Sequence, residues 1–350
     1  MIIITGGTGY IGKNIAFYLL QKGEKVLLID DFSNSSDTAL HTLFTKLGEQ
    51  NIDSANLRFK NLDLTDRQKT NQFFFHEFSY LIHEYLFSDR LKGVIHCAGH
   101  KSVSESVANP LEYYRNNLIS TLNLVECLQI MNKMNATDKI PSIPLIFSSS
   151  TTVYGDNTNP LIETMVCTID NIACPYGKTK YLIEEILRDC SKYVNTVSLR
   201  YFNPVGCFEN LDEEMTEKST NLIPVLVKSI QKQAVFKVFG KDYNTRDGTC
   251  IRDYIDVRDL ARAHYLALEY AINMKDKTYD VFNLGTEKGT SVTELLETFE
   301  RVRGVKLQYE YVDRRPGDLP ECYANSEKAR ELLGWSPEYT LEQSLESIKI

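Results

Sequence analysis

The chain opens on an apolar run, residues 2–5, that passes at once into TGGTGYIG, and this junction limits the fold more than anything downstream. Gly6, Gly9 and Gly12 lie three apart and lead into a helix expected to begin near Ile11. Glycines permit the tight turn and the close approach of backbone to a pyrophosphate, whose charge suits the amide-rich, positive start of a helix. A glycine triplet also occurs at strand-to-helix turns that bind nothing. Here, however, the second apolar run ends in an acid, Asp30, placed to reach an adenosine ribose. A carboxylate that accepts hydrogen bonds from a 2′-hydroxyl repels a 2′-phosphate, and Asp31 adds to the negative charge. The expected cofactor is NAD rather than NADP.

Apolar runs recur at 25–30, 57–60, 93–98, 144–149 and 196–200, with helix-like spacing over 12–22, 110–130 and 175–190. That alternation predicts α/β architecture, with a doubly wound parallel-sheet Rossmann domain over residues 1–200. Residues 201–350 are richer in turns, as at 241–249 and 313–318, and are expected to form mainly a smaller mixed α/β substrate lobe that returns some segments to the first. The greasiest stretch, 73–87, is interrupted by His and Glu and falls short of the roughly 20 residues that span a bilayer, so an amphipathic core helix is expected there and no membrane partner. A formal charge of -8 argues against a nucleic-acid face. The eight cysteines include no C-x-x-C pair, which suggests neither a zinc knuckle nor a disulfide framework. No leader pattern fits ahead of the first TGG, and a cytoplasmic location is expected.

In CPYGKTK, Pro175 suits the first position of a helix, and Thr179, Leu182, Ile183, Ile186, Leu187 and Cys190 form an apolar arc. Tyr176 falls inside that arc and Lys180 at its edge, where a solvated lysine would lie opposite. A phenol with an ordinary pKa near 10 must titrate about three pH units lower to act as a base at neutral pH. An ammonium about 4 Å away supplies about that much. The strand-end segment FSSSTTVYG offers Ser148, Ser149, Ser150, Thr151 and Thr152 as hydroxyl donors at the sheet edge where such folds bind ligands, although Ser and Thr there also serve as plain helix caps.

With HCAGHKSVSESVANPLEYYRNN, LRYFNPVG, NLIP, FGKDYNTRDGTCIRDYI and RRPGDLPECYA added, nearly the whole chain resembles the extended branch of the short-chain dehydrogenase/reductase superfamily, and within it the UDP-glucose 4-epimerase family. The resemblance implies an isomerase that holds NAD tightly and inverts C4 of a UDP-hexose through a 4-keto intermediate, working as a homodimer through the helices at 110–130 and 175–190. Tyr176 would be the base, beside Lys180, with Ser150 or Thr152 bonding the reacting oxygen. Expected NAD contacts are the glycine loop with Tyr10 and Ile11; Asp30, Asp31 and Asn34; Asp63 and Leu64; Cys97, Ala98, Gly99 and Lys101; Asn116; Ser148; Tyr176 and Lys180 themselves; and Tyr201 with Phe202. Asp63 reads equally as an acid at a helix start.

In the second lobe, Asn203, Asn221, Leu222, Phe239, Arg252, Tyr254, Arg315, Asp318 and Cys322 match substrate contacts, joined by Lys101, Ser150 and Tyr176. Arg252 and Arg315 suit a diphosphate, Asp318 ribose hydroxyls, and Phe239 with Leu222 the uracil face. Cys322 stands where a tyrosine would restrict the pocket to simple hexoses. Its small side chain implies room for the N-acetyl group of UDP-N-acetylglucosamine and UDP-N-acetylgalactosamine; the competing reading is a packed cysteine of no consequence for substrate. A nucleotide-sugar dehydratase would need an acid and a base where Thr151, Thr152 and Val153 stand. A glucuronate or pentose epimerase is disfavoured by the resemblance alone, and a non-catalytic NAD-sensing protein would be expected to lack Tyr176 or Lys180.

Overall fold

The computed structural model describes residues 1–77, 90–137, 141–208, 211, 221–274, 278–315 and 317–350. Strands β1 (Ile2–Thr5), β2 (Val26–Asp30), β3 (Leu57–Asn61), β4 (Gly93–His96), β5 (Leu145–Ser150) and β6 (Thr196–Tyr201) match the six apolar runs to within two residues at either end. They pair in parallel, and a seventh strand, β10 (Tyr279–Leu284), joins from much later in the chain to give the order β10-β6-β5-β4-β1-β2-β3. Chain direction across the sheet reverses at β1 and β4, and the crevice outside their carboxyl ends is where a doubly wound sheet binds ligands.

Both faces of this sheet are covered, so its strands read as continuous apolar runs rather than alternating ones. Ile2 and Ile4 of β1 point into one core with Leu260, Ala261 and Ala267 from the helix Val257–Ile272. Ile3, between them, points into the other with Leu124, Leu128, Ile183 and Leu187 from the helices Pro110–Thr137 and Pro175–Asp189.

A second sheet runs β11 (Gly289–Ser291), β9 (Ile251–Asp256), β13 (Glu321–Cys322), with β7 (Asn203–Val205) also on β9, while β8 (Phe236–Phe239) pairs with β12 (Tyr309–Val312). A third core beneath these strands includes Leu226, Phe236, Tyr254, Leu295 and Phe299. Buried Asp253 ties the two regions together: its carboxylate accepts from the backbone N–H groups of Thr286 (2.8 Å), Glu287 (3.0 Å) and Ala324 (3.2 Å), joining β9 to the chain leaving β10 and β13.

The helix Asp37–Glu49 was not anticipated, although Ala39, Leu43 and Leu47 repeat every fourth residue along its buried side. Of the greasy stretch 73–87, Phe73–Glu77 form a short helical turn with Phe73 and Phe74 buried, and 78–87 lie outside the described residues, as does Pro316. No helix among the described residues is long and apolar enough to cross a membrane, and among them no group of His, Cys, Asp and Glu could hold a metal ion.

Candidate active site

The glycine turn is shaped by what a side chain would strike. Gly6 has φ +65°, and a Cβ on it would lie 2.6 Å from the Ala98 amide nitrogen; a Cβ on Gly12 would lie 2.2 Å from the Gly6 carbonyl oxygen. Gly9 is the N-cap of the helix Tyr10–Gln21; no side chain caps that end, and its first turn holds no acidic residue. The positive helix start therefore faces a cradle that backbone alone keeps open. Asp30 accepts from Thr8 N (3.0 Å), Phe32 N (2.9 Å) and Ser35 Oγ (3.1 Å), which fixes its carboxylate at the cradle's rim with acceptor capacity to spare. These residues fit a dinucleotide. Asp31 turns back to Ser33 N, and Asn34 is exposed beyond it. Asp63 accepts from Thr65 N (2.8 Å) and Thr65 Oγ1 (2.7 Å), while the helix start nearby is capped by Asp66, so Asp63 is a turn residue rather than a helix cap; Leu64 is buried behind it.

Cys97, Ala98 and Gly99 leave β4 alongside the cradle, and Lys101 beyond them is exposed. Asn117 latches this segment to the helix of Tyr176: its Oδ1 accepts from His100 N (2.8 Å), and its Nδ2 donates to His100 O (3.1 Å) and to Thr179 Oγ1 (3.0 Å). Asn116, the residue singled out from sequence, is half-buried next to it. Asn117 was missed; an amide among Tyr113, Thr121 and Leu124 on the buried side of a helix was the available signal.

Pro175 and the N-cap Cys174 begin the helix Pro175–Asp189. Its buried line is Gly177, Lys180, Ile183, Glu184 and Leu187, while Leu182 and Ile186, expected inside the arc, are half-exposed. Lys180 is thus buried rather than at an edge. Its Nζ donates to the Ser148 carbonyl oxygen (2.7 Å) and lies over the rings of Phe147 (4.7 Å) and Tyr176 (5.8 Å). Burial lowers Lys180 to about 8, against the opposing pull of Cys97 and Glu184.

Burial also pushes Tyr176 up to about 12, with the Ser150 hydroxyl pulling it partly back. The expected lowering of the phenol by Lys180 is therefore not found in the protein alone. The ammonium is turned to Ser148, and desolvating the phenolate outweighs it. Ser150 Oγ accepts from Thr152 N (3.3 Å) and Thr152 Oγ1 (3.1 Å), which leaves its own hydrogen for Tyr176. Beneath the couple lies His96, fully buried, which burial and the charge of Lys180 lower to about 3.

A line of contacts leads on to the second lobe. Thr151, next to Ser150, lies close enough to Cys322 for its hydroxyl to offset part of the rise that burial imposes on the thiol. Cys322 is paired in register with Arg252, and Arg252 Nη2 donates to Asp318 Oδ1 at 3.2 Å. Cys322 also packs, half-buried, on a cluster of Val153, Tyr154, Leu161, Phe202 and Ala324. The Arg315 guanidinium lies 4.1 Å from the Phe239 ring centroid. Tyr254 is buried and Asn203, its register partner, exposed; Asn221 is the N-cap residue of the helix that Leu222 begins. Tyr201 is buried against Ser148.

Residues 2–285 match the model of the NAD-dependent epimerase/dehydratase family. The chain is 39% identical over 349 residues to the UDP-glucose 4-epimerase of Bacillus subtilis, covering 98% of this chain and 94% of that one. The structure resembles UDP-glucose 4-epimerase from Bifidobacterium longum in complex with NAD+ and UDP, with a TM-score of 0.83 and 34% identity over 99% of this chain and 96% of that one. It also resembles the UDP-Glc/GlcNAc 4-epimerase of Campylobacter jejuni, with a TM-score of 0.74 and 31% identity over 99% and 97%.

Proposed function

The chain belongs to the NAD-dependent epimerase/dehydratase family, and on that basis we propose that it interconverts UDP-glucose and UDP-galactose, and UDP-N-acetylglucosamine and UDP-N-acetylgalactosamine as well. The observation that carries the reading is the continuous line from the Arg252–Asp318 pair through Cys322 and Thr151 to Ser150, Tyr176 and Lys180, beside a cradle made for a dinucleotide.

The glycine loop and Asp30 hold the cofactor. Bound NAD supplies an acceptor for the C4 hydride, returned later to the same carbon, and a positive charge that favours the phenolate of Tyr176. Tyr176 takes the proton of the sugar 4-hydroxyl, and the Ser150 hydrogen steadies the oxygen between them. Lys180, held by the Ser148 carbonyl, keeps a positive charge beneath the phenol. Arg252 and Arg315 grip the diphosphate as bidentate donors, so the sugar can turn about its link while the nucleotide stays fixed. A planar 4-keto carbon can be reduced on either face, and that turn decides which epimer results. Tyr176 then returns its proton. Cys322, small and beside Thr151, leaves space for an N-acetyl group.

Exposed Leu111, Leu122, Ile130 and Met134 on the helix Pro110–Thr137, with half-exposed Leu182 and Ile186 on its neighbour, support pairing of two copies through these helices. None of the eight cysteines forms a disulfide in the structure, which suits the reducing cytosol.

Tyr176→Phe tests the role of the phenol: turnover of UDP-galactose should fall about 10²- to 10⁴-fold while the purified protein keeps its NAD. Near-normal turnover would remove Tyr176 as the base.

A further inference from the structure

One helical turn beyond Lys180 lies a buried carboxylate to which the reaction above gives no task. Glu184 is 1% exposed. Its Oε1 accepts from Ser149 Oγ at 2.5 Å and from Arg200 Nε at 3.0 Å, while its Oε2 accepts from Arg200 Nη2 at 2.5 Å. Ser149 on β5 and Arg200 on β6 are register partners in the parallel sheet, so their side chains stand side by side on the face that meets Glu184. The Ser149 hydroxyl is thus engaged within the protein rather than offered to a ligand. Ser148 turns its own hydroxyl to the opposite face, where it accepts from Tyr201 Oη; that oxygen also lies 3.2 Å from Nε2 of His264, fully buried on the helix Val257–Ile272.

Two side chains therefore reach from the helix Pro175–Asp189 to neighbouring residues of β5. Lys180 Nζ donates to the Ser148 carbonyl oxygen at 2.7 Å, and four residues on Glu184 accepts from the Ser149 hydroxyl. The lysine contact is one bond at the end of a flexible four-carbon stem. The glutamate contact is stiffer, because a bidentate pairing with a guanidinium fixes orientation as well as distance. Arg200 is itself 4% exposed and lies 4.6 Å from the ring centroid of Tyr154, whose hydroxyl donates to Asn283 Oδ1 at 2.7 Å. Asn117 ties the same helix to its neighbour through Thr179; Glu184 ties it to the sheet. Ser150, next along β5, is the residue that acts on Tyr176.

We propose that Glu184 is a positioning residue: clamped by Ser149 and Arg200, it seats the helix of Tyr176 and Lys180 on β5 and so sets the spacing of Tyr176 from Ser150 and of Lys180 from the Ser148 carbonyl. A misplacement of about 1 Å at reacting groups costs about 100-fold in rate. The arginines that grip the diphosphate come from other elements and stay where they are, so the loss falls on kcat and not on KM. That kinetic consequence rests on the proposed function; the clamp does not.

The test uses the full chain as purified with its NAD. Ser149→Ala removes one contact and leaves the Glu184 and Arg200 charges paired. It should lower kcat for UDP-galactose about 10- to 100-fold, with KM and NAD content within about twofold of normal, and Ser149→Thr, which keeps the hydroxyl, should bring kcat back to within about threefold. Glu184→Asp keeps the charge for Arg200 but withdraws it by one methylene; it should slow turnover as Ser149→Ala does, and it takes that variant's place if Ser149→Ala does not fold. Ser344→Ala removes an equally buried hydroxyl, one that donates to Asp256 Oδ2 at 2.6 Å from the helix Leu341–Glu346, and should leave kcat unchanged. A normal kcat in Ser149→Ala or Glu184→Asp, a Thr variant as slow as the Ala variant, or an equal fall in Ser344→Ala would overturn the proposal. Backbone hydrogen exchange over residues 176–183, read by mass spectrometry, requires no turnover. It should quicken about 10-fold in Ser149→Ala and stay as it is in Ser149→Thr and Ser344→Ala; unchanged exchange in Ser149→Ala would also overturn the clamp. Absence of turnover in the unaltered protein would sink the epimerase reading and leave the exchange result to decide this one.

Discussion

Gly12→Ala puts a methyl group where a carbonyl oxygen already stands. The added Cβ lies 2.2 Å from the Gly6 oxygen and 2.8 Å from Gly7 Cα, and relief requires a movement of about 1 Å. Gly6 has little room to supply it, because even a Cβ on its α-carbon would lie within 2.8 Å of the Cys97 and Ala98 backbone. The start of the helix Tyr10–Gln21 must therefore retreat. Overpacking of this kind costs about 1–3 kcal/mol, which a chain with three buried cores survives. The amides at the helix start, however, would stand about 1 Å too far from a pyrophosphate. Losing one or two hydrogen bonds to a charged group, at about 1.5–3 kcal/mol each, weakens NAD binding by at least about 10-fold. The assay is the NAD released per chain when purified protein is denatured, with a melting curve to show that the variant is folded. Gly9→Ala, whose Cβ would lie 3.3 Å from the same oxygen, should lose less, and Gly48→Ala, which meets nothing within 4 Å, should lose none. A folded Gly12→Ala protein with full NAD content would refute the cradle.

Cys322→Tyr should lower kcat/KM for UDP-N-acetylgalactosamine by about 5- to 150-fold, the kinetic equivalent of the overpacking cost, with UDP-galactose little affected; equal losses on both substrates would show that Cys322 only packs. Acid stability should carry the mark of His264. Its pKa in the folded state, about 4, lies below the ordinary 6.5, so the unfolded chain takes up a proton first and folded stability falls as pH drops from 6.5 toward 4. Across that window the unaltered protein should lose about 3 kcal/mol relative to His264→Gln in urea titrations, and parallel curves would contradict the buried neutral ring.

How far the sequence reached depended on the range of the interaction. The strands of the larger sheet were legible because burial on both faces leaves unbroken apolar runs. The glycine cradle was legible because its geometry is local. Tyr176 and Lys180 were legible as a pair on one helix, but their electrostatics were not: a four-residue spacing suggests that the ammonium lowers the phenol, whereas burial lowers the ammonium and raises the phenol. That result depends on Phe147 and Ser148, which reach the pair from another strand. Asn117 was passed over for Asn116 because one residue of helix rotation, invisible in the letters NN, decides which amide faces His100 and Thr179. The Arg252–Asp318 pair and the Tyr201–His264 contact join residues more than sixty apart in the chain. No periodicity records such contacts; folding alone brings them together.

The central claim is tested most directly by incubating the purified protein, with no NAD added, with UDP-galactose and separately with UDP-N-acetylgalactosamine, and following the formation of each 4-epimer. The account predicts that both equilibrate with their gluco epimers using only the cofactor the protein carries. Failure to convert either sugar by protein that contains NAD would contradict it.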